Sequence, residues 1–402
     1  MNASPTYIKR DIYINRISPY FNKNLIKVIV GQRRVGKSCF LLQIIDEIKA
    51  LNKKANIIYI NKELHEFDKM NNYNDLHDYV KEKSFKSKKN YLFIDEIQDI
   101  QQFEKALRSF QAEGIYDIYC TGSNANLLSG ELSTYLSGRY VETKIYGLSY
   151  NEFLQFHSLK HTEDSFNKFI KFGGMPYLIN LPLEENVIYE YLKNIYSAIL
   201  FKDIVARHNI RNVNFLENLV TYLGDNIGSI VSAKKISDFL KSQKINITPN
   251  QVLDYLNYLV SAFFIFKVKR SEIGGKKIFE IGDKYYFEDL GLRNTIVGYK
   301  TNDINKTLEN LVYLQMAIKG YNITVGKMKE KEIDFVCQKD SEKIYIQVTY
   351  LLNDEKVIKR EFDNLLAIND NYKKIVVSMD KSIGKDYEGI EHWNIYNFLM
   401  NF

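Results

Sequence analysis

The sequence lacks the features of a disulfide-stabilised or membrane-embedded protein. Only three of its 402 residues are cysteines, Cys39, Cys120 and Cys337, and no two of them form a C-x-x-C pair. Their odd number and wide spacing argue against a disulfide framework and against a cysteine-rich zinc site. The apolar neighbours of Cys39 and Cys120 predict that both are small core residues. The longest largely apolar stretch, residues 258–266, is far shorter than the ~20 residues that a membrane helix needs.

An excess of charge of one sign is also absent. The 55 Lys and Arg residues nearly balance the 49 Asp and Glu residues, which leaves a formal net charge of +6. This mildly basic balance permits contact with nucleic acid or with an acidic partner but does not require it. Residues 1–24 contain no apolar stretch of the kind that marks a signal peptide, so we expect a cytoplasmic protein that makes no membrane contact.

The amino-acid composition is that of an ordinary globular protein. Hydrophobic residues make up 45% of the chain and charged residues 26%, and there are 30 tyrosines and 24 phenylalanines. Abundant aromatic residues and the absence of low-complexity tracts argue against disorder. A chain of this length exceeds one compact core, so about two or three domains are expected.

The first third of the chain alternates strands with helices. Apolar or β-branched runs predict strands at residues 26–30, 55–60, 91–94 and 117–120. Segments with helical periodicity lie between them at 38–51, 75–83 and 101–111. This alternation predicts an α/β fold with a parallel sheet and helices on both of its faces.

The rest of the chain has a different pattern. Helical segments dominate up to about residue 208. Three predicted helices at 215–226, 233–241 and 248–260, followed by strands at 263–270 and 276–286, have the outline of a winged helix-turn-helix. A helix at 308–319 and strands at 322–327, 332–338, 343–349 and 374–378 predict a small α/β domain.

A phosphate-binding loop follows the first predicted strand and opens the first predicted helix. Its pattern is G-x-x-x-x-G-K-S, and the strand and helix around it are the context that a P-loop requires. The glycines let backbone N–H groups surround the phosphates of ATP, and the helix N-terminus adds positive charge. We expect Lys37 to reach the β- and γ-phosphates and the Ser38 hydroxyl to bind Mg²⁺. The predicted nucleotide-contacting residues are Gly31, Gln32, Arg33, Arg34, Val35, Gly36, Lys37, Ser38 and Cys39.

Two carboxylates end the third predicted strand. Four apolar residues, 91–94, precede Asp95 and Glu96. Ligands of parallel α/β sheets bind at the carboxyl end of the strands, which is where these acids lie. Asp95 is the expected second protein ligand of Mg²⁺, and Glu96 is expected to polarise the water that attacks the γ-phosphate. Alone, such a pair could be two solvated acids, but its combination with the P-loop favours a catalytic role.

Three further polar residues are candidates for catalysis. Ser123 and Asn124 follow the strand at 117–120, where either could hold the attacking water; the alternative is that they only cap the next helix. Arg139 follows a predicted helix and could act as an arginine finger, either in cis or toward a neighbouring subunit. The alternative for Arg139 is an ordinary surface arginine.

Together these motifs resemble one branch of the AAA+ family, prokaryotic ATPases that join an AAA+ core to a C-terminal domain of unknown function. The motifs are GQRRVGKS at 31–38, FIDEIQ at 93–98, TGSN at 121–124, SGR at 137–139 and FGGMP at 172–176. The resemblance implies an AAA+ P-loop core at 1–148 and a helical lid at 149–208. It further implies a winged helix at 209–292 and a restriction-endonuclease-like domain, similar to PD-(D/E)xK nucleases, at 293–402.

The nuclease-like domain departs from that pattern. A nuclease of this type needs carboxylates for Mg²⁺ and a lysine near the scissile phosphate. Glu309 and Asp334 match the first acidic positions, but Gln347 and Thr349 stand where an acid and a lysine are expected. A neutral amide attracts a divalent cation poorly. We therefore expect an inactive domain in which Glu309 and Asp334 are structural or surface acids.

The function predicted from the sequence is Mg²⁺-dependent ATP hydrolysis coupled to a conformational change on double-stranded DNA or on a protein partner. A nucleotide-gated switch with little turnover is the alternative, and an ATP-dependent nuclease has less support. Lysines near the winged helix could contact DNA phosphates, but the predicted recognition helix at 248–260 has no basic residue. A homo-oligomer is expected if Arg139 acts in trans. The candidates for DNA contact are Lys234, Lys235, Lys241 and Lys244, with Lys267, Lys269, Arg270, Lys276 and Lys277 around the predicted wing.

Overall fold

The computed structural model describes residues 7–125, 136, 138–273, 282–329, 331–352, 354–381 and 386–402. The chain divides into two compact units. The first contains Met1–Tyr146 with Ser261–Phe263, and the second contains Gly147–Val260 with Phe264–Phe402. The first division lies close to the predicted end of the P-loop core at residue 148, while the finer division of the second unit stays a prediction.

The first unit is an α/β structure built on five parallel strands. The strand order is β2-β3-β4-β1-β5, and helices cover both faces of the sheet. Its elements are α1 (Asp11–Ile17), β1 (Ile26–Val30), α2 (Lys37–Leu51), β2 (Asn56–Asn61), α3 (Tyr73–Lys83), β3 (Asn90–Asp95), α4 (Phe103–Glu113), β4 (Tyr116–Gly122) and β5 (Tyr140–Lys144). The predicted α/β fold class is therefore confirmed.

The three central strands explain why the site forms where it does. Strands β1, β3 and β4 are buried along their whole length, as expected for a parallel sheet covered on both faces. The register pairs Val30 with Gly122 and Ile94 with Cys120, so β1, β3 and β4 end at the same edge of the sheet. A buried ion pair between Lys27 of β1 and Asp117 of β4 joins the other ends of these two neighbours.

The second unit contains two sheets. A three-stranded sheet has the order β6-β9-β7, and a seven-stranded sheet has the order β14-β15-β13-β12-β11-β10-β8. Its helices are α5 (Tyr150–Phe156), α6 (Glu163–Phe172), α7 (Glu185–Ala198), α8 (Val213–Asp225), α9 (Ala233–Ser242), α10 (Pro249–Ser261), α11 (Leu290–Val297), α12 (Ile304–Ile318), α13 (Glu355–Leu366) and α14 (Ile395–Asn401). Its strands are β6 (Ile230–Val231), β7 (Ile265–Val268), β8 (Arg270–Glu272), β9 (Asp283–Phe287), β10 (Asn322–Met328), β11 (Lys331–Lys339), β12 (Glu342–Val348), β13 (Lys373–Ser378), β14 (Asp386–Tyr387) and β15 (Ile390–Asn394).

Several local features differ from the sequence prediction. Strand β5 was not predicted, because its mixture of charged and half-buried residues gives a weak strand pattern at the edge of a sheet. Helical segments were predicted up to about residue 208, but α7 is followed by a π-helix over Ile199–Ala206. The prediction that Cys39 is a core residue is wrong, since Cys39 is exposed while Cys120 is buried. The periodicity of α2 places position 39 on its outer face, although its neighbours in sequence are apolar.

No helix among the residues that the structure describes is long and apolar enough to cross a membrane.

Candidate nucleotide site

The P-loop connects β1 to α2, and each of its glycines has a steric reason. A Cβ atom on Gly31 would lie 2.3 Å from the carbonyl oxygen of Ile145, which is a fixed backbone group. Gly36 has φ 95°, in the left-handed region that favours glycine. It stands directly before the first residue of α2, so the unpaired N–H groups of the first helical turn face the loop. The loop therefore has the geometry of an anion site.

Lys37 is buried and folded back onto the loop. Its Nζ donates hydrogen bonds to the carbonyl oxygens of Gly31, at 3.2 Å, and Gln32, at 3.0 Å. The same ammonium lies 3.7 Å from Oε1 of Glu96. The structure therefore brings together two side chains that the sequence assigned to one site, and the role of each stays a prediction.

Asp95 is fully buried at the end of β3. Burial raises the pKa of its carboxyl above the ordinary value, and the nearby hydroxyls of Ser38 and Thr121 offset part of this effect. Thr121 donates a hydrogen bond to Oδ1, whereas Oδ2 is buried with no hydrogen-bond partner among the described residues. A buried, partly unsatisfied carboxylate beside a serine hydroxyl fits the requirements of a hard cation such as Mg²⁺.

Glu96, the next residue, has the opposite electrostatic balance. Burial acts to raise the pKa of its carboxyl, but the charge of Lys37, a hydrogen bond from Gln98 and the charge of Arg33 outweigh burial. The pKa of Glu96 therefore lies below its ordinary value. Its backbone has φ 54°, which is uncommon for a residue other than glycine. Adjacent carboxylates with opposite pKa shifts suit different roles in one site.

The other residues predicted at this site lie around the same loop. Ser123 is buried directly beyond β4, and its hydroxyl is close enough to Glu96 to lower the pKa of that carboxyl. Asn124 follows it and is half-buried; residues 126–135, which would form the helix that the two were predicted to cap as an alternative, lie outside the described residues. Gln32 is fully buried, and both polar atoms of its amide have no partner among the described residues. The remaining loop residues are half-buried Arg33, exposed Arg34 with φ 71°, buried Val35 and exposed Cys39.

Arg139 lies away from this site, which corrects part of its prediction. It directly precedes β5, and its carbonyl accepts the N–H of Ile26, the first residue of β1. The P-loop follows Val30, the last residue of β1, so the two positions are separated by the length of a five-residue strand. At ~3.3 Å per residue this is roughly 17 Å, beyond the reach of an arginine side chain. Arg139 cannot contact the γ-phosphate in cis, and only the role in trans remains open.

Two functional candidates were missed in the sequence. Thr121 contacts both acids: it donates to Asp95, and its oxygen accepts the backbone N–H of Glu96 at 2.9 Å. Gln98 donates a hydrogen bond from Nε2 to Oε2 of Glu96. Thr121 lies within the TGSN motif and Gln98 within the FIDEIQ motif. Their contacts with the acids were missed because those contacts depend on the strand register and on the turn after β3.

The second unit contains a separate cluster of carboxylates around one lysine. Lys284 of β9 is 4% exposed, and its Nζ lies 3.0 Å from Glu309, 2.9 Å from Glu332 and 3.7 Å from Asp334. Burial lowers the pKa of Lys284, but the three carboxylates outweigh burial and raise it overall. Tyr286 also donates a hydrogen bond to Glu309. No group of three or more His, Cys, Asp or Glu side chains in the described ranges is arranged to hold a metal ion.

Of the two substituted positions of the nuclease-like pattern, Gln347 contacts this cluster. Gln347 is buried, and its amide oxygen accepts the N–H of Asp334 at 3.4 Å. Thr349 is buried, and its N–H donates to the carbonyl of Val377. Burial and the charge of Glu309 raise the pKa of Asp334. Glu309 and Asp334 were expected to be structural or surface acids, and the ion pairs of both with the buried Lys284 agree with the structural alternative.

The lysines proposed for DNA contact fall into two groups. Lys234, Lys235, Lys241 and Lys244, on or near α9, are exposed. Lys267 on β7 instead pairs with Asp283 at 2.9 Å. The segment 274–281, which would carry the tip of the predicted wing, lies outside the described residues.

Comparison with known sequences gives matches over both parts of the chain. A family model described as an AAA domain matches residues 23–154, and one described as a domain of unknown function (DUF8612) matches residues 163–303. An uncharacterized protein of Haemophilus influenzae is 36% identical over 405 residues, which cover 99% of this chain and 100% of that protein. An uncharacterized protein of Methanocaldococcus jannaschii is 34% identical over 404 residues, covering 92% of this chain and 87% of that protein.

Solved structures give only distant similarities. The Aeropyrum pernix ORC1 protein in complex with DNA has a TM-score of 0.35 at 10% identity, covering 73% of this chain and 93% of that chain. The structure of C. elegans PCH-2 has a TM-score of 0.27 at 14% identity, covering 63% of this chain and 65% of that chain.

Proposed function

We propose, from the premise that this chain belongs to the family of prokaryotic proteins that join an AAA domain to a domain of unknown function, that it hydrolyses ATP with Mg²⁺. Membership rests on two relatives that are more than 30% identical over nearly their full lengths. An AAA domain is a nucleotide-binding ATPase domain. Hydrolysis by this chain is the step that we infer from the site.

One observation carries the proposal: the ends of β1, β3 and β4 bring a P-loop lysine and two carboxylates of opposite electrostatic character together. Lys37 lies 3.7 Å from Glu96, and the neighbouring Asp95 is buried with an unsatisfied oxygen. A buried carboxylate oxygen without a hydrogen-bond partner costs stability unless a ligand compensates it. Mg²⁺–ATP supplies that compensation, because its phosphates suit Lys37 and the loop N–H groups, and its cation suits Ser38 and Asp95.

The ammonium of Lys37 has two possible sets of hydrogen-bond acceptors, the loop carbonyls and the phosphates of ATP. Lys37 donates to the carbonyls of Gly31 and Gln32. Phosphate oxygens carry more negative charge than carbonyl oxygens, so the β- and γ-phosphates are stronger acceptors for the same ammonium. We infer that Lys37 would donate to these phosphates when ATP binds, while Gly31 and Gly36 keep the loop backbone open to them.

The two acids then serve different steps. Ser38 and Asp95 would hold the magnesium ion, which when bound neutralises phosphate charge. Glu96 stays ionised at neutral pH because its pKa is lowered, so it can accept a hydrogen bond from the attacking water. Ser123 and Asn124, next to Glu96 at the end of β4, are the proposed partners that orient this water. Arg139 is proposed to act only on the nucleotide of a neighbouring copy of the chain.

A nuclease activity is not part of the proposal. The ammonium of Lys284 occupies the centre of the acidic cluster, and Gln347 and Thr349 replace the expected acid and lysine. The exposed lysines on and near α9 support double-stranded DNA as a partner, with a protein as the alternative. A cytoplasmic location remains a prediction from the sequence.

The test is the steady-state ATPase rate of wild type and of Glu96→Gln, each with and without double-stranded DNA. We expect Mg²⁺-dependent turnover in wild type and a loss of about 100-fold or more in Glu96→Gln, because the amide cannot accept the proton or polarise the water equally. A rate increase on adding DNA would assign DNA as the partner. ATP binding without turnover in any condition would replace the hydrolase proposal by the nucleotide-gated switch.

A further inference from the structure

Thr121 is placed between the two acids of the nucleotide site. It is the penultimate residue of β4, fully buried, and β4 is paired with β3 in parallel register up to Ile94 and Cys120. The next residue on each strand is therefore Asp95 on β3 and Thr121 on β4, side by side at the edge of the sheet. This register brings the threonine hydroxyl against the acids.

The hydrogen bonds fix the orientation of this hydroxyl. Its hydrogen is donated to Oδ1 of Asp95, and its oxygen accepts the backbone N–H of Glu96 at 2.9 Å. A hydroxyl has one hydrogen to donate and can accept at its lone pairs, so the two bonds do not compete. One atom thus contacts the side chain of one acid and the backbone of the other.

The hydrogen bond between the backbone N–H of Glu96 and Thr121 is important because Glu96 has an uncommon backbone conformation. Glu96 adopts φ 54°, a left-handed conformation that costs energy for a residue with a side chain. The surroundings must fix such a conformation, and the N–H of Glu96 is held by Thr121. The direction in which the Glu96 side chain leaves the strand follows from this turn, so Thr121 influences the carboxylate without contacting it.

We propose that Thr121 is a positioning residue that couples the cation-binding carboxylate of Asp95 to the water-polarising carboxylate of Glu96. The proposal rests on the proposed function, since it assigns Thr121 to that same site. Thr121 keeps Oδ2 of Asp95 available for the cation by bonding to Oδ1, and it holds Glu96 in the turn that faces Lys37.

The experiment compares Thr121→Val, which keeps the shape and loses both bonds, with Thr121→Ser, which keeps both. Thr143→Val is the matched control, because Thr143 on β5 and Thr121 on β4 pair with the same residue of β1, Ile29, from opposite sides. Binding of a fluorescent ATP analogue is measured in EDTA and in Mg²⁺, and phosphate release is measured in a single turnover. Circular dichroism verifies that each variant is folded.

In EDTA we expect all four proteins to bind the analogue with the same affinity within about twofold, because the P-loop is intact. In Mg²⁺, Thr121→Val should lose about tenfold in affinity and about 10- to 100-fold in turnover, as expected for lost bonds to charged groups. Thr121→Ser and Thr143→Val should resemble wild type. If Thr121→Val does not fold, Thr121→Ala is measured in its place.

Two results would overturn the proposal. One is a Thr121→Val protein that gains as much affinity from Mg²⁺, and turns over as fast, as wild type. The other is a Thr121→Ser protein as impaired as Thr121→Val, which would mean that packing of the methyl group matters and the hydroxyl does not. If wild type binds Mg²⁺ and nucleotide without hydrolysis, the proposed function fails, but the binding comparison still tests Thr121.

Discussion

Replacing Lys284 by methionine is the perturbation for which the structure predicts the largest effect outside the nucleotide site. The substitution keeps most of the side-chain volume and removes the ammonium that lies within 3.7 Å of Glu309, Glu332 and Asp334. These carboxylates are 16%, 31% and 13% exposed, so water compensates them only in part. Arg270, 3.5 Å from Glu332, remains as a second cation near one of them.

The expected magnitude follows from the cost of breaking a buried ion pair. Removing one partner typically costs about 3–5 kcal/mol, because an uncompensated charge stays buried. For a large unit, 1 kcal/mol corresponds to about 2–4 °C in the unfolding temperature, so a decrease of roughly 6–20 °C is expected. The matched control is Lys300→Met, whose ammonium pairs with Asp225 at 2.8 Å but is 51% exposed. A surface pair of this kind is worth about 0–1 kcal/mol.

The difference in stability between wild type and Lys284→Met should change with pH in a definite direction. Burial and the charge of Glu309 already raise the pKa of Asp334, and the charge of Lys284 acts against that rise, so losing Lys284 raises the pKa of Asp334 further. An acid whose folded pKa exceeds its unfolded pKa loses stability as pH rises through the folded value, because the native state must release a proton that it binds tightly. The gap between wild type and Lys284→Met should therefore be large at about pH 8 and shrink toward about pH 5.

The assay is urea or thermal unfolding followed by tryptophan fluorescence. The chain contains a single tryptophan, and Trp393 lies on β15 in the same seven-stranded sheet as Asp334, so the signal reports on this unit. An unfolding midpoint of Lys284→Met equal to that of Lys300→Met at pH 8 would refute the reasoning. So would a gap that widens as the pH falls.

Three further predictions concern the first unit. Gly31→Ala should weaken ATP binding about tenfold or more, because the added Cβ would lie 2.3 Å from the carbonyl oxygen of Ile145 and the loop must move. Titration with a fluorescent ATP analogue measures the affinity, and an unchanged affinity would contradict this geometry. Arg139→Ala should leave ATP binding unchanged. It should slow ATP turnover only under conditions in which the turnover rate per chain rises with protein concentration. A loss of turnover in dilute monomer would contradict the placement of Arg139. Alkylation followed by mass spectrometry should label Cys39 before Cys120 and Cys337, and Mg²⁺–ATP should protect it; equal labelling of all three would refute the assigned exposures.

Much of the nucleotide site could be predicted from the sequence because its signals are local. The P-loop and the acids after β3 are continuous motifs, and the rule that ligands bind at the carboxyl ends of parallel strands places them together. Thr121 could not be assigned in this way, since its contacts with Asp95 and Glu96 depend on the register between β3 and β4. The same limit explains Arg139, because β5 was not predicted and only its parallel pairing with β1 places Arg139 at the edge of the sheet opposite the P-loop.

The acidic cluster of the second unit shows a different limit. Lys284, Glu309 and Asp334 lie on three separate elements, and no local pattern indicates that the lysine faces the carboxylates. Sequence reasoning correctly noted Gln347 and Thr349 as departures from a nuclease pattern but had no means of identifying the internal cation. The exposure of Cys39 was also missed, because apolar neighbours in sequence do not determine which face of a helix is covered.

The most direct test of the central claim is a single-turnover measurement with ATP and Mg²⁺ on wild type and Glu96→Gln. The account predicts that both proteins bind ATP with similar affinity, because Lys37 and the loop are unchanged, and that only wild type releases phosphate. Equal phosphate release by the two proteins would contradict the role of Glu96 and, with it, the proposed hydrolytic site.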